Sequence, residues 1–190
     1  MRGPLLAARH WLTTRLYRPS RANMAFTWIG DTRVAIGAMP MPGALPELVR
    51  EGVTDIVNCR ASAQTRFSGD LAIERLALGR EHVVCAPMWD HGRAQPPGAF
   101  GPAAEFAADA LHDPDRRVLI HCQQGRRRSV LVAYATLRLR GMSPDDAEAV
   151  LLKHRTVAEL VPAYRESVER WLADGVRSPH VSADGVDVES

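Results

Sequence analysis

Residues 117–129, with the sequence RVLIHCQQGRRRS, combine the side chains needed to attack and hold a phosphate group. Cys122 is a candidate nucleophile, because a thiolate that lies next to positive charge and backbone donors becomes reactive near neutral pH. Arg128 carries a planar guanidinium that can bind two phosphoryl oxygens at once, a geometry that lysine lacks. The spacing of these residues predicts an anion-binding loop with a thiol at its centre.

A buried strand is predicted before this loop and a helix after it. Residues 118–120 form a continuous apolar run typical of a parallel strand, and Gly125 permits a tight reversal. From Ser129 the sequence SVLVAYATLRLRG has helical character and ends at Gly141. Because a helix N-terminus presents free N–H groups and the positive end of its dipole, the loop before this helix is expected to attract anions.

The motif formed by His121-Cys122, five further residues and Arg128-Ser129 resembles the H-C-x5-R-[S/T] loop of the protein tyrosine phosphatase superfamily. Its dual-specificity branch is the most similar. The resemblance implies a single α/β domain in which a mostly parallel central sheet is flanked by helices. It also implies catalysis through a phosphocysteine intermediate, with no metal and no cofactor.

Three other segments share this resemblance. Residues 34–59 are similar to the branch's opening strand, helix and second strand, residues 88–92 to its general-acid loop, and residues 133–155 to the helices after the catalytic loop. The likeness covers about residues 26–175, which are expected to form the phosphatase domain. Residues 1–25 are then a basic N-terminal extension, and residues 176–190 a tail expected to be disordered.

The resemblance implies a catalytic set of Cys122 as nucleophile, Arg128 as phosphate ligand, Asp90 as general acid and Ser129 as the hydroxyl that helps the thiolate leave. Asp90 lies 32 residues before Cys122, a separation typical of dual-specificity members, and follows a strand-like segment. The larger tyrosine-specific enzymes have Trp-Pro-Asp here, whereas this chain has Trp89-Asp90 without a proline. A solvated loop aspartate is the alternative interpretation of Asp90.

The same resemblance places the rest of the motif in a phosphate-binding loop, made of His121, Gln123, Gln124, Gly125, Arg126 and Arg127. His121 is expected to order the loop from behind. Two interpretations of Arg126 and Arg127 remain open: the side chains are solvated or packed, or they enlarge the cationic field for a substrate with several phosphates. Arginine is abundant throughout the chain, which favours the first interpretation and suggests a GC-rich bacterial source.

The wider sequence alternates strands and helices, as expected for an α/β sheet with helices on both faces. Predicted strands lie near 33–38, 54–59, 82–87 and 117–121, and predicted helices near 43–51, 99–112, 129–140, 144–154 and 157–173. Ser143 and Pro144 provide a helix start. The interval 60–80 is ambiguous and is interpreted as a variable recognition loop followed by a short helix.

Composition narrows the functional class. The chain has 190 residues, of which 46% are hydrophobic and 24% charged, as expected for one globular domain with a full core. The net charge of +2 is too small to indicate nucleic-acid binding.

Three cysteines without disulfide or metal spacing favour a reducing, cytoplasmic location. The arginines of residues 1–21 leave open a weak peripheral contact with a membrane surface, against a helix packed on the domain.

Cys59 and Cys85 have two interpretations. They are small core residues, or one of them protects Cys122 from irreversible oxidation. Cys59 is the better candidate redox partner, because it ends a predicted strand on the edge where the catalytic loop also lies.

The predicted function is therefore hydrolysis of phosphomonoesters on phosphorylated proteins. An anionic phospholipid substrate, either a phosphoinositide or phosphatidylglycerophosphate, is the alternative within the same enzyme class. Two other classes remain: a phosphate-binding module without turnover, and a rhodanese-like sulfurtransferase. The presence of both Cys122 and Asp90 disfavours the first, and Ser129 with the acid loop disfavours the second.

Overall fold

The structure, a computed structural model, describes residues 26–175. The predicted extension 1–25, with the segment 1–21 considered for membrane contact, lies outside the described residues. The predicted tail 176–190 lies outside them as well. No helix in the described part of the chain is long and apolar enough to cross a membrane.

Within these residues, five strands form one sheet. They are β1 (Thr27–Trp28), β2 (Val34–Ala38), β3 (Asp55–Asn58), β4 (Val83–Cys85) and β5 (Val118–Cys122). The strand order is β1-β2-β5-β3-β4, with β1 antiparallel to β2 and every other pair parallel. The four parallel strands confirm the predicted ones. The two-residue β1 was not predicted, because it is too short to show a periodic pattern.

Seven α-helices accompany the sheet in the same range. They are α1 (Leu45–Arg50), α2 (Ser62–Ser68), α3 (Asp70–Leu78), α4 (Pro97–Ala110), α5 (Arg128–Leu139), α6 (Pro144–His154) and α7 (Pro162–Ala173). Short 3-10 turns at Pro42–Ala44 and Arg80–His82 precede α1 and β4. Ser143 caps α6 by accepting a hydrogen bond from the Asp146 N–H, as the sequence predicts.

Two predictions about the helices were wrong. The last helix begins at Pro162 and not at residue 157, because proline suits the first turn of a helix and disfavours helical geometry in the residue before it. The interval 60–80 holds two helices and not a loop with one short helix. Gly69 separates them with a φ of 72°, in the left-handed region that favours glycine.

Helices cover both faces of the sheet, which confirms the predicted fold class. Helices α4 to α7 pack on one face, against apolar residues that include Val57 and Ile120. Helices α1 and α3 lie on the other face, where Ile56 and Leu119 are buried. Because side chains alternate along a strand, β5 sends Cys122 to the α5 side and His121 to the α3 side.

Candidate active site

The turn between β5 and α5 forms a tight loop around the end of Cys122. Gly125 has a φ of 63°, and a side chain there would collide with the backbone carbonyl of Gly37. Behind the loop, Nε of the buried Arg155 donates to the Gly125 carbonyl at 2.6 Å. Glycine is thus required at this position, and the hydrogen bond from Arg155 fixes the middle of the loop between β5 and α5.

Cys122 lies at the floor of this loop with only 1% of its surface exposed. The N–H of Gly125 donates to its Sγ at 3.2 Å, and Oγ of Ser129 lies 3.4 Å from the same sulfur. Burial alone raises the pKa of the thiol, but the positive charge of Arg128 and the hydrogen bonds from Ser129 and the Arg126 backbone outweigh it. Together they lower the pKa from 9.0 to about 7.

Arg128 begins α5 and is anchored along one edge of its guanidinium. Its Nη1 donates to Oε1 of Gln64 at 3.0 Å, to the Met88 carbonyl at 3.1 Å and to the Cys59 carbonyl at 3.5 Å. Its Nε is buried and has no hydrogen-bond partner within the described residues. The arginine is therefore held rigidly while a donor remains for an oxyanion.

Asp90 lies beside this donor, on the loop that follows β4. Its Oδ2 is 3.9 Å from Nε of Arg128, and its side chain is 33% exposed. The hydroxyl of the buried Tyr164 lies 3.5 Å from its Oδ1, and Gln95 Nε2 donates to the carbonyl of Trp89 at 3.1 Å. The carboxyl group is thus partly exposed to solvent and lies next to Arg128.

On the α3 side of the sheet, His121 makes a buried ion pair. Its Nε2 lies 2.9 Å from Oε1 of Glu74, and both side chains are almost completely inaccessible. Burial alone lowers the pKa of the imidazole, but the Glu74 carboxylate and, behind it, Asp70 raise the pKa above its usual value. The ion pair with Glu74 therefore favours the charged form of His121, on the α3 side of the residue that precedes Cys122.

Arg60 links the carboxylates of α3 to the loop itself. Its Nη1 lies 2.6 Å from Oδ2 of Asp70, and its Nε donates to Oε1 of Gln123 at 3.0 Å. Burial alone raises the pKa of Asp70, but the charge of Arg60 and hydrogen bonds from Ser68 and Arg60 lower it. Gln124, the next loop residue, is exposed. The first half of the loop is thus fixed through Gln123.

Arg126 and Arg127 share one carboxylate. Arg127 binds Glu159 in a bidentate manner, with two contacts of 2.9 Å, and Nη2 of Arg126 lies 3.1 Å from the same group. The Glu159 N–H also donates to the Arg126 carbonyl at 2.8 Å. This geometry favours the packed interpretation of the two arginines, because Glu159 offsets part of the charge that the sequence places here.

Of the two other cysteines, only Cys59 lies close to Cys122. It follows β3, donates its N–H to the His121 carbonyl at 2.8 Å, and packs in the same apolar cluster as Cys122. Burial raises the pKa of Cys59 well above its usual value, and the Cys122 charge raises it further. Cys85 faces the α3 side, where burial and the charges of α3 raise its pKa to about 11.

Several residues that shape the site were missed from the sequence. They are Arg60, Gln64, Asp70, Glu74, Arg155 and Tyr164. A signal for part of this set exists, because Asp70 and Glu74 are four residues apart and share one face of a helix. That signal could not be used while the interval 60–80 lacked a defined helix boundary.

No family model matches the chain. Among curated proteins, dual specificity protein phosphatase 1 of Mus musculus is 24% identical over 134 residues, which are 70% of this chain. The chain spans about a third of that relative's length.

Two solved structures extend the comparison. The structure of PTPMT1 in complex with PI(5)P has a TM-score of 0.68 and 21% identity, over 78% of this chain and 95% of that one. Human DUSP28 has a TM-score of 0.63 and 23% identity, over 78% of this chain and 93% of that one. The chain therefore has the dual-specificity phosphatase-like fold that its sequence predicts.

Proposed function

We propose that the chain is a cysteine-dependent phosphomonoester hydrolase that acts on phosphorylated proteins through a phosphocysteine intermediate. The geometry around Cys122 carries this proposal: its Sγ accepts a hydrogen bond from the Gly125 N–H at 3.2 Å and lies 3.4 Å from Oγ of Ser129, an environment that lowers the pKa of the thiol to about 7. At neutral pH a large fraction of the thiol is then the thiolate, the form that attacks phosphorus. The open Nε of Arg128 supplies a donor for the oxygens of the transferred group.

In the first step, the Cys122 thiolate attacks phosphorus in line with the departing oxygen. The S–P bond forms as the P–O bond breaks, and protonated Asp90 transfers its proton to the leaving alcohol. Arg128 and the loop N–H groups stabilise the charge that spreads over the phosphoryl oxygens. The position of Asp90, 3.9 Å from Nε of Arg128, supports its role at the leaving-group side.

In the second step, Asp90 acts as the base that takes a proton from water. Water attacks the phosphocysteine, the S–P bond breaks, and inorganic phosphate leaves. The Ser129 hydroxyl, 3.4 Å from Sγ, stabilises the returning thiolate. The buried His121–Glu74 pair acts as a support that positions the loop and does not touch the reacting atoms.

A lipid substrate is the second candidate. It is favoured by the likeness to PTPMT1, whose structure contains the phosphoinositide PI(5)P. The contacts between Glu159 and both Arg126 and Arg127 disfavour it, because they reduce the charge available for a second phosphate. The likeness to dual specificity protein phosphatase 1 supports the protein substrate.

We also infer a cytoplasmic location and a bacterial source, with residues 1–21 as the segment to examine for peripheral membrane contact.

A phosphate-release screen tests the proposal. Phosphopeptides, inositol phospholipids, phosphatidylglycerophosphate and an aryl phosphate are compared, with Cys122→Ser as the blank. We expect turnover of the aryl phosphate and of phosphotyrosine peptides, and a higher kcat/KM for peptides than for lipids. Preference for a lipid would replace the protein substrate by the second candidate, and no turnover of any phosphoester would overturn the proposal.

Two controls separate the other functional classes. Vanadate should inhibit competitively, whereas sulfur transfer gives no reason for inhibition by a phosphate analogue. Arg128→Lys should lose about 100-fold or more in kcat/KM, because the charge remains but the bidentate contact is lost. A phosphate-binding module would bind vanadate without releasing phosphate from any substrate.

A further inference from the structure

A groove of about 710 Å³ is bordered by residues of α2, α3 and β4, and none of the candidate catalytic residues lines it. Three arginines line it: Arg66 from the end of α2, Arg75 from α3 and Arg80 from the turn before β4. Leu76, whose surface is 82% exposed, and the partly buried Cys85 also line it. The groove thus combines cationic side chains with an exposed apolar surface.

The three arginines have no carboxylate partner within residues 26–175. None of them forms an ion pair, and Nε of Arg75 is buried without a hydrogen-bond partner. The nearby Asp70 and Glu74 point inward, where they bind Arg60 and His121. Each of these carboxylates is therefore engaged elsewhere.

Glu81, next to Arg80 in the sequence, lies 4.0 Å from His82 and forms no ion pair with the groove arginines. The groove therefore has a positive charge that no carboxylate of the described residues offsets, and this charge favours the binding of an anionic ligand.

The groove reaches α2 one residue away from a side chain that contacts the active site. Thr65 lines the groove and follows Gln64, whose Oε1 accepts a hydrogen bond from Arg128. From there the groove follows α3, whose nine residues span about 13 Å. An extended peptide covers that length with about four residues. A chain that enters the active site can therefore continue into the groove without a long spacer.

We propose that this groove docks a short acidic segment of a phosphoprotein substrate, close in sequence to the phosphorylated residue. This inference rests on the proposed phosphatase function. Arginine forks bind the carboxylates of Asp and Glu in a bidentate manner, and Leu76 contacts an apolar side chain between them. Arginines spaced from α2 along α3 to the following turn suit an extended acidic peptide that continues from the phosphorylated residue.

The test compares phosphotyrosine peptides that carry four acidic residues, or four matching Asn and Gln residues, on either side of the phosphotyrosine. The double variant Arg66→Glu/Arg80→Glu changes two exposed groove arginines that have no catalytic role. Arg170→Glu is the matched control, because Arg170 is exposed on α7 on the opposite face of the sheet. Circular dichroism checks that each variant is folded. If the double variant is not folded, the single variant Arg66→Gln is tested in its place.

We expect the double variant to raise KM for the acidic peptide about tenfold, with kcat and aryl phosphate turnover unchanged. KM for the neutral peptide should not move, and Arg170→Glu should behave as wild type. Direct binding of a fluorescent, unphosphorylated acidic peptide should weaken in parallel, and should weaken further with added salt.

Equal KM values for acidic and neutral peptides in wild type, with the aryl phosphate still hydrolysed, would overturn the docking proposal and leave the phosphatase function intact. Failure to hydrolyse any phosphoester would instead remove the proposed function, and the binding assay would then decide on the groove alone. Loss of binding to phosphatidylserine vesicles in the double variant, with peptide binding intact, would also overturn the proposal and assign the arginines to a membrane surface.

Discussion

The two sides of the sheet at the end of β5 carry opposite chemistry. On the α5 side, Cys122 is surrounded by hydrogen-bond donors and by the cation of Arg128, which lower its pKa to about 7. On the α3 side, the neighbouring His121 meets the carboxylate of Glu74, which raises the pKa of the imidazole. Two consecutive residues of one strand are thus stabilised in opposite charge states.

The fold thus separates the reacting groups of the site from the groups that position the loop. Strand alternation separates the two side chains, so that the anion at Cys122 and the cation at His121 each have their own partners. The α5 side supplies the reacting groups, whereas the α3 side fixes the loop from behind through Glu74 and Arg60. Substitutions on the first side should therefore affect chemistry, and those on the second side should affect stability.

The largest effect is expected from Cys122→Ser. Serine has no stabilised anion at neutral pH, so aryl phosphate turnover should fall by about 10⁴-fold or more while the domain stays folded. Cys59→Ser, on the same side of the sheet, is the matched control and should retain wild-type turnover. Initial rates and circular dichroism of both variants measure this. Residual activity of Cys122→Ser within about tenfold of wild type would remove Cys122 from the nucleophile role.

Asp90→Asn should have the next largest effect, and one that depends on the leaving group. Loss of the general acid should slow alkyl and tyrosyl phosphates by about 10²- to 10⁴-fold, but an activated nitrophenyl ester much less, because its leaving oxygen needs little protonation. The ratio of kcat/KM for the two ester types measures this. An equal slowdown of both would identify Asp90 as a structural residue.

Glu74→Gln tests the α3 side. Breaking this buried pair should cost about 3 kcal/mol in the free energy of unfolding, whereas Glu159→Gln at the exposed Arg127 pair should cost below about 1 kcal/mol. Because the folded-state pKa of His121 is raised, the contribution of the pair is complete below the unfolded pKa of about 6.5 and is lost as pH rises through the folded value.

Urea denaturation at pH 6 and pH 9 should therefore show a larger deficit for Glu74→Gln at pH 6. A deficit that is the same at both pH values would contradict a charged His121. A loss of turnover as large as that of Cys122→Ser, in a folded variant, would contradict the division between the two sides.

The smallest effect on basal turnover is expected from Cys59→Ser, which tests redox protection. Asn58 of β3 is paired with His121 of β5, and Cys59 and Cys122 directly follow these two residues. Neighbouring strands of a sheet lie about 5 Å apart, a separation that a disulfide can bridge. Peroxide oxidises Cys122 to the sulfenic acid, which condenses with the Cys59 thiol to release water. Dithiothreitol should then restore wild type fully, whereas Cys59→Ser should progress to irreversible oxidation. Equal recovery would leave Cys59 as a packing residue.

The α5 side was largely predictable from the sequence, and the α3 side was not. The run at 118–120, Gly125 and the helix from Ser129 are local signals, so the loop and its helix could be placed without knowing the rest of the fold. The partners on the α3 side come from the interval 60–80, where two short helices meet at Gly69. Their contribution depends on contacts across the sheet, which no local pattern records.

The most direct test of the account is the pKa of Cys122 itself. The test follows the rate of iodoacetamide alkylation against pH in a Cys59→Ser/Cys85→Ser background. Because Cys122 is then the one cysteine left in the chain, this rate reports its thiolate fraction. We expect a midpoint near pH 7, and a shift toward higher pH in Arg128→Lys, where the anchored guanidinium is lost. A wild-type midpoint near the ordinary thiol value of 9.0 would contradict an activated Cys122 and with it the proposed mechanism.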